Sequence, residues 1–218
     1  MEYRKQKSEA VNRSLLMSKE LQSSTCRGRP RCFNLDEALD RSLVLFWENG
    51  FQNTSLAEIA DAIGVKKPSL YAAFGDKEML FRQVLQRYAE KFGQPFEALR
   101  QHDDIRAAVN AYVDAGITCS LGQGTPRGCL LASAFADSGL FPASLAAEVR
   151  ALVAKADRAM AQRLQKAVQC GQLPADFDIK GTAKFLNCLM HGIALRARAG
   201  ENSTNLQSVK KVALRCLG

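Results

Sequence analysis

Lys66, Lys67, Ser69, Tyr71 and Ala72 stand within seven consecutive positions, and their types suit one kind of partner. Two ammonium groups match phosphate oxygens or the acceptor edge of a guanine, Ser69 should face the same groove, and Tyr71 stands beside them as an aromatic that could equally serve a core. The Ala72 methyl matches the methyl of a thymine. Lys77 opens a later helix, where a cation opposes the helix dipole, a cost that a phosphate partner offsets. Ser55 is placed to cap a helix and to leave N–H groups facing an anion. A second chemistry is offered by Cys129. Arg127 precedes it by two residues and a helix start falls nearby, which would lower a thiol pKa and allow redox or electrophile sensing; the other reading of Cys129, favoured by its apolar neighbours, is a small buried hydrophobe.

These groups need a rigid mount, and the flanking sequence supplies one. Ser55 and Glu58 have capping-box spacing, and Leu56, Ile59, Ala60 and Ile63 then recur on one helical face. Gly64 ends that helix where a left-handed residue is needed. Pro68 sits in the first turn of the next helix, where its missing N–H costs nothing. Leu70 and Phe74, four apart, turn inward and leave Lys67, Ser69, Tyr71, Ala72 and Ala73 outward. Helix, glycine turn and a second helix with a basic start is helix-turn-helix geometry, whose second helix enters a DNA major groove.

The formal net charge of +8 favours polyanionic partners. Its surplus is concentrated in residues 1–33, where Arg4, Lys5, Lys7, Arg13, Lys19, Arg27, Arg29 and Arg31 face only Glu2, Glu9 and Glu20. This stretch reads as a basic, flexible arm, with Arg27, Arg29 and Arg31 as phosphate or minor-groove contacts. Met17 opens MSKELQ and is a second candidate start of translation. Residues 1–22 show no signal-peptide core and no apolar run spans a bilayer, so a cytoplasmic, nucleoid-associated protein without a membrane partner is expected. Seven cysteines without regular spacing suit a reducing compartment.

Helical periodicity then covers residues 34–49, 55–63, 66–74, 77–96, 104–121, 128–138, 142–170, 178–199 and 204–217, with no lasting β-alternation. The chain is therefore read as all-α with about nine helices. Residues 34–81 form a DNA-binding domain with its motif at 55–74, and residues 82–218 form a regulatory domain. In 142–170 an apolar stripe runs through Leu145, Val149, Leu152, Ala156, Met160, Leu164 and Val168. Helix 178–199 is apolar on nearly every side, through Phe185, Leu186, Leu189, Met190, Ile193 and Leu195, and must be covered on two faces. Leu152, Met160, Leu164, Leu186, Met190 and Ile193 are the resulting candidates for a homodimer interface. Phe92, Phe96, Tyr112, Cys119, Cys129, Phe135 and His191 are the candidates for a ligand pocket among these helices.

Catalytic readings find little support. GQGTPRG at 122–128 lacks the strand before it and the Gly-Lys-Ser/Thr ending of a phosphate loop, and no Gly-x-Ser-x-Gly elbow occurs. No Cys-x-x-Cys is present and the only histidines are His102 and His191, so neither a metal nor a cofactor is expected.

GRPR ahead of LFWENGFQNTS, then LAEIADAIGVKKPSLYAAF, then GDKEMLF, resembles the TetR family of transcriptional repressors over roughly residues 35–81. Leu70-Tyr71, Phe74, Lys77-Glu78 and Leu80 carry that resemblance most closely, and RGCLLASAFAD at 127–137 is similar to one branch of the family. Ala73 departs from it, standing where many members have His or Tyr. The resemblance implies a homodimer on a palindromic double-stranded operator and a small-molecule effector, not identified by these residues. Binding of that effector separates the two recognition helices, which must lie about 34–36 Å apart. It also implies that the Tyr71 hydroxyl serves phosphate. The alternatives are an architectural DNA binder without effector, a thiol-sensing repressor acting through Cys129, and a helical enzyme or carrier with a vestigial motif.

Overall fold

The computed structural model describes residues 33–218, and every regular element among them is helical. Arg27, Arg29, Arg31 and the Met17 start lie outside the described residues. The helices are α1 Leu35–Asn49, α2 Leu56–Ile63, α3 Lys67–Phe74, α4 Lys77–Lys91, α5 Gln94–Gln101, α6 Ile105–Leu121, α7 Leu130–Ala136, α8 Ala143–Gln169, α9 Ile179–Arg198, α10 Ser203–Ser208 and α11 Lys210–Leu214. Each of the nine expected helices is present. Two are divided, at Phe92–Gly93 and near Val209, which makes eleven among the described residues. The first division corrects the expected helix 77–96. Pro95, in the first turn of α5, has no N–H to continue the ladder of α4.

Local sequence explains most of the helix starts. Asn34, Asp76, Asp104, Asp178 and Asn202 each accept a backbone N–H two or three residues on. A glycine at positive φ ends α1, α2 and α6.

The first four helices bury Phe46, Trp47, Ile59, Leu70, Leu80 and Phe81. Phe46 and Phe51 lie against Phe81 with ring centroids 5.0 Å away, and Phe141, ahead of α8, closes the cluster at 5.1 Å from Phe51. A second core joins α5, α6, α8 and α9 through Leu99, Val109, Ile117, Met160, Leu164 and Leu186.

Polar contacts tie α1 and α4 to their surroundings. Arg87 and Lys91 reach Asp40 at 2.9 and 2.5 Å. Burial opposes ionisation of Asp40, but hydrogen bonds from Arg87 and Lys91 outweigh it and hold the carboxyl below its usual range. Arg82 of α4 donates to Glu148 of α8 at 2.8 Å and to Ser144 at 3.1 Å. These pairs are largely solvated, so each adds little to stability. Arg198, the last residue of α9, forks onto the last turn of α1. It donates to the Trp47 carbonyl at 2.8 Å and to the Glu48 carbonyl at 2.7 Å.

Candidate nucleic-acid interface

Ser55 accepts the Glu58 N–H at 3.1 Å, and Glu58 Oε2 accepts the Ser55 N–H at 2.8 Å, so the expected capping box is complete. Gly64 follows in the left-handed region at φ 79°. Its N–H and that of Val65 return to the Ala60 carbonyl at 3.0 Å, which fixes the angle at which α3 departs. Within α3, Leu70 and Phe74 are buried, whereas Lys67, Ser69, Tyr71 and Ala72 are exposed together with Lys66 just before it. Lys66 occupies the cap position without a side-chain hydrogen bond, so the first turn of α3 is left open to an anion. Ala73 is exposed beside them and adds no polar contact.

Lys77 is placed differently from the expectation. Its ammonium donates to the Gln52 carbonyl at 3.3 Å and lies 4.4 Å from the centre of the Phe51 ring. Burial lowers its pKa, with the nearby Glu58 charge acting the other way. The cost of a lysine at a helix N-terminus is thus offset inside the protein, where Lys77 braces α4 against the turn before α2. Beside it, an open hollow of about 480 Å³ separates Gln52 and Asp76–Glu78 from Leu140–Pro142, and no candidate ligand residue lines it.

Five of the seven candidate pocket residues adjoin one another: Cys129 bonds Tyr88, on which Phe92 stacks, and its thiol lies near Cys119 and Tyr112, with Phe96 against Tyr112. Phe92 packs on Trp47 and Tyr88, with ring centroids 4.9 and 5.0 Å away. Phe96 packs edge-on to Tyr112 at 5.3 Å. Cys119 Sγ lies 3.6 Å from Gln94 Oε1. Only Phe135 and His191 line a cleft, about 280 Å³ in volume, between α7, α8 and α9. Burial lowers the His191 pKa against the opposing pull of Asp157, which favours the neutral ring.

Cys129 caps α7, as a residue near a helix start should, but it is not activated. Arg127 turns away and donates to the Glu201 carbonyl. Tyr88 donates its hydroxyl to Cys129 Sγ at 3.1 Å. Burial pushes the thiol pKa up, and the hydrogen bonds from Tyr88 and the α7 backbone do not reverse the rise. These surroundings favour a protonated capping thiol over a low-pKa thiolate at Cys129.

Four of the six candidate interface residues are also corrected. Met160, Leu164, Leu186 and Ile193 are 0–2% exposed inside the chain's own core and have no surface left for a partner. Leu152 and Met190 are partly exposed. The apolar stripe that remains open on α9 passes through Phe185, Cys188 and Leu195 at helical spacing and ends at Ala199, the residue that caps the helix.

Sequence reasoning missed the polar floor of the cleft. Tyr112, 2% exposed, donates its hydroxyl to Asn187 Oδ1 at 2.6 Å, and Asn187 Nδ2 donates to Asp157 at 2.8 Å. An asparagine beside Leu186 on an apolar helix was the available signal. Tyr112→Phe leaves the buried Asn187 oxygen without its donor, so a stability loss of about 1–3 kcal/mol is expected. A urea midpoint that does not move would show that this bond contributes no net stability.

Known proteins share this arrangement. The family model for bacterial regulatory proteins of the tetR family matches residues 38–84, and that for the tetracyclin repressor-like C-terminal domain matches residues 105–213. The HTH-type transcriptional repressor ComR of Escherichia coli K12 is 34% identical over 191 residues, which are 87% of this chain and 91% of ComR. The HTH-type transcriptional repressor BdcR of the same organism is 42% identical over 76 residues, 35% of this chain and 39% of BdcR. Among solved structures, the TetR family regulator CifR, a cysteine mutant complexed with 26 bp double-strand operator DNA, superposes with a TM-score of 0.80. It is 30% identical, covering 88% of this chain and 100% of that one. No helix among the described residues is long and apolar enough to cross a membrane. Matched at the helix-turn-helix, along its C-terminal helices and over nearly the whole length of ComR, the chain belongs to the TetR family of DNA-binding transcriptional regulators.

Proposed function

We propose that the chain is a repressor that binds a two-fold operator as a homodimer and is released by a small molecule held among its C-terminal helices. The observation that carries this reading is the face of α3. Lys66, Lys67, Ser69, Tyr71 and Ala72 all point to solvent from a helix whose other side is fixed by Leu70 and Phe74. In this reading residues 34–81 serve DNA and residues 82–218 serve the ligand and the partner subunit, with Arg27, Arg29 and Arg31 adding contacts from the arm. The operator complex of CifR supports the first role. The open stripe Phe185, Cys188, Leu195 and Ala199 supports self-association through α9. It replaces the buried Met160, Leu164, Leu186 and Ile193 as the partner-facing surface.

A footprint of the chain on the DNA upstream of its own gene tests this reading, with light scattering on the free chain. Protection of one two-fold sequence by a particle of twice the chain mass is expected. Uniform protection of any duplex would favour the architectural reading, and a monomer in both states would remove the paired reader.

A further inference from the structure

Helix α3 is eight residues long, and its buried side chains are Leu70 and Phe74. Two anchors four apart lie on one line along a helix, so they hold it down without fixing its roll about that line. The roll is set at the ends, and both ends are held by side chains from outside the motif. At the far end, Gln83 of α4 donates to the Phe74 carbonyl at 3.3 Å. At the near end, Arg41 of α1 donates from Nη1 to the Ala62 carbonyl at 3.0 Å. Lys66, which opens α3, follows Ala62 by four residues.

Ala62 stands in the last turn of α2, where carbonyls have no N–H of their own helix to accept. The N–H groups of the turn go elsewhere, Gly64 to Ala60 and Asp61, and Val65 to Ala60. The Arg41 guanidinium supplies the donor that the turn does not, and its charge suits the negative end of the α2 dipole. Its second arm lies on Glu37 at 2.5 Å, one turn back along α1, so the fork is oriented before it reaches across to α2. Arg41 Nε is buried and has no acceptor among the described residues. An arginine that served only to solvate α1 would turn that N–H to water, because a dry, unpaired N–H costs free energy. The fork is held across α2 against that cost.

Such a brace matters more to base reading than to attraction. Base edges are read by hydrogen bonds of fixed direction, whereas phosphates accept from a displaced cation with little loss. We propose that Arg41 is a positioning residue for sequence reading. It holds the exit of α2 so that α3 meets the groove at one angle, with Gln83 steadying the opposite end. It governs discrimination between operator and other duplex, not overall affinity for DNA, and it makes no DNA contact of its own. This rests on the reading of α3 as the element that enters the groove.

The test uses the full chain, a duplex carrying the two-fold sequence protected in the footprint, its single-base-pair variants, and a shuffled duplex of the same length. Binding is measured by fluorescence anisotropy over a salt series, well below the melting temperature of each protein. Arg41→Met keeps the stem and removes the fork. It is expected to lower the ratio of operator to shuffled affinity about tenfold, the cost of roughly one misread base pair. Affinity for the shuffled duplex should move less than about twofold and the salt slope should hold, because phosphate contacts set both. The lost preference should be spread over the base pairs of each half-site. Arg41→Lys keeps the charge and one donor but not the fork, so it carries the test even if the Met variant does not fold; a loss of about threefold is expected. A ratio unchanged in the folded variants overturns the proposal. So does a salt slope shallower by about 1 for each subunit, or a loss confined to one base pair, since either makes Arg41 a direct DNA contact. If the parent chain itself does not prefer the protected duplex, the reading of α3 fails instead.

Discussion

Replacing Phe81 by alanine is expected to destabilise the folded chain by about 3–5 kcal/mol, the range for emptying a buried aromatic site. Phe81 is 1% exposed and lies at the centre of a cluster drawn from separate parts of the chain. Its ring is 5.0 Å from Phe46 of α1, 5.0 Å from Phe51 in the turn before α2, and 6.0 Å from Phe141 ahead of α8. Truncation therefore loses contacts in several directions, and no single neighbour can move in to refill the space. For a chain of this size such a loss lowers the melting temperature on the order of 10 °C. Phe81→Leu keeps most of the volume and should cost no more than about 1.5 kcal/mol. Melting the two variants beside the parent checks the argument. A drop of equal size for Ala and Leu would mean that ring geometry, not filled volume, holds the junction.

The second large effect belongs to the basic start of α3. Lys66→Ala with Lys67→Ala removes two exposed cations from the cap and first position of α3, a helix start that makes no side-chain cap hydrogen bond. Operator affinity is expected to fall by about 100-fold near physiological salt. The slope of log affinity against log salt should become shallower by about 2 for each subunit, since each phosphate contact contributes about 0.9. Stability should hold or rise slightly, because cations near a helix N-terminus oppose its dipole. Lys77→Ala provides the contrast. Its ammonium is engaged by the Gln52 carbonyl and the Phe51 ring, so its loss should affect melting more than the salt slope. An unchanged slope in the double variant would move the phosphate contacts away from α3.

What the sequence made legible was local. The Ser55–Glu58 box, the Gly64 turn and the inward pair Leu70 and Phe74 depend on residues at most four apart, and each appears as read. Reading failed where the answer depended on what another segment of the chain does. Periodicity marks Met160, Leu164, Leu186 and Ile193 as needing cover, but it cannot distinguish cover by the chain's own helices from cover by a second copy. Proximity in sequence placed Arg127 beside Cys129, whereas the fold sends the guanidinium to Glu201, far along the chain. Lys77 was placed on the correct helix, but its partner Gln52 lies across the motif. The floor of the cleft joins Tyr112, Asp157 and Asn187 from three helices, a meeting that no spacing rule encodes.

The fork of Arg198 gives α9 a mechanical character. One rigid rod carries the cleft floor at Asn187, the open stripe at Phe185 and Leu195, and at its far end a clamp on the carbonyls of Trp47 and Glu48. Asn187 and Arg198 are separated by about 16 Å along that rod, at 1.5 Å for each residue. A helix transmits displacement over such a length with little bending, because each turn is braced by its own hydrogen bonds. If α9 slides or rolls, α1 must travel with it or two charge-assisted hydrogen bonds must break. Gly128 lies under the same end, where an added Cβ would meet the Ala194 carbonyl and the Arg198 side chain at 3.1 Å, leaving little free play before the movement is felt. The lever is short, has few joints, and ends on the helix next to the reading head.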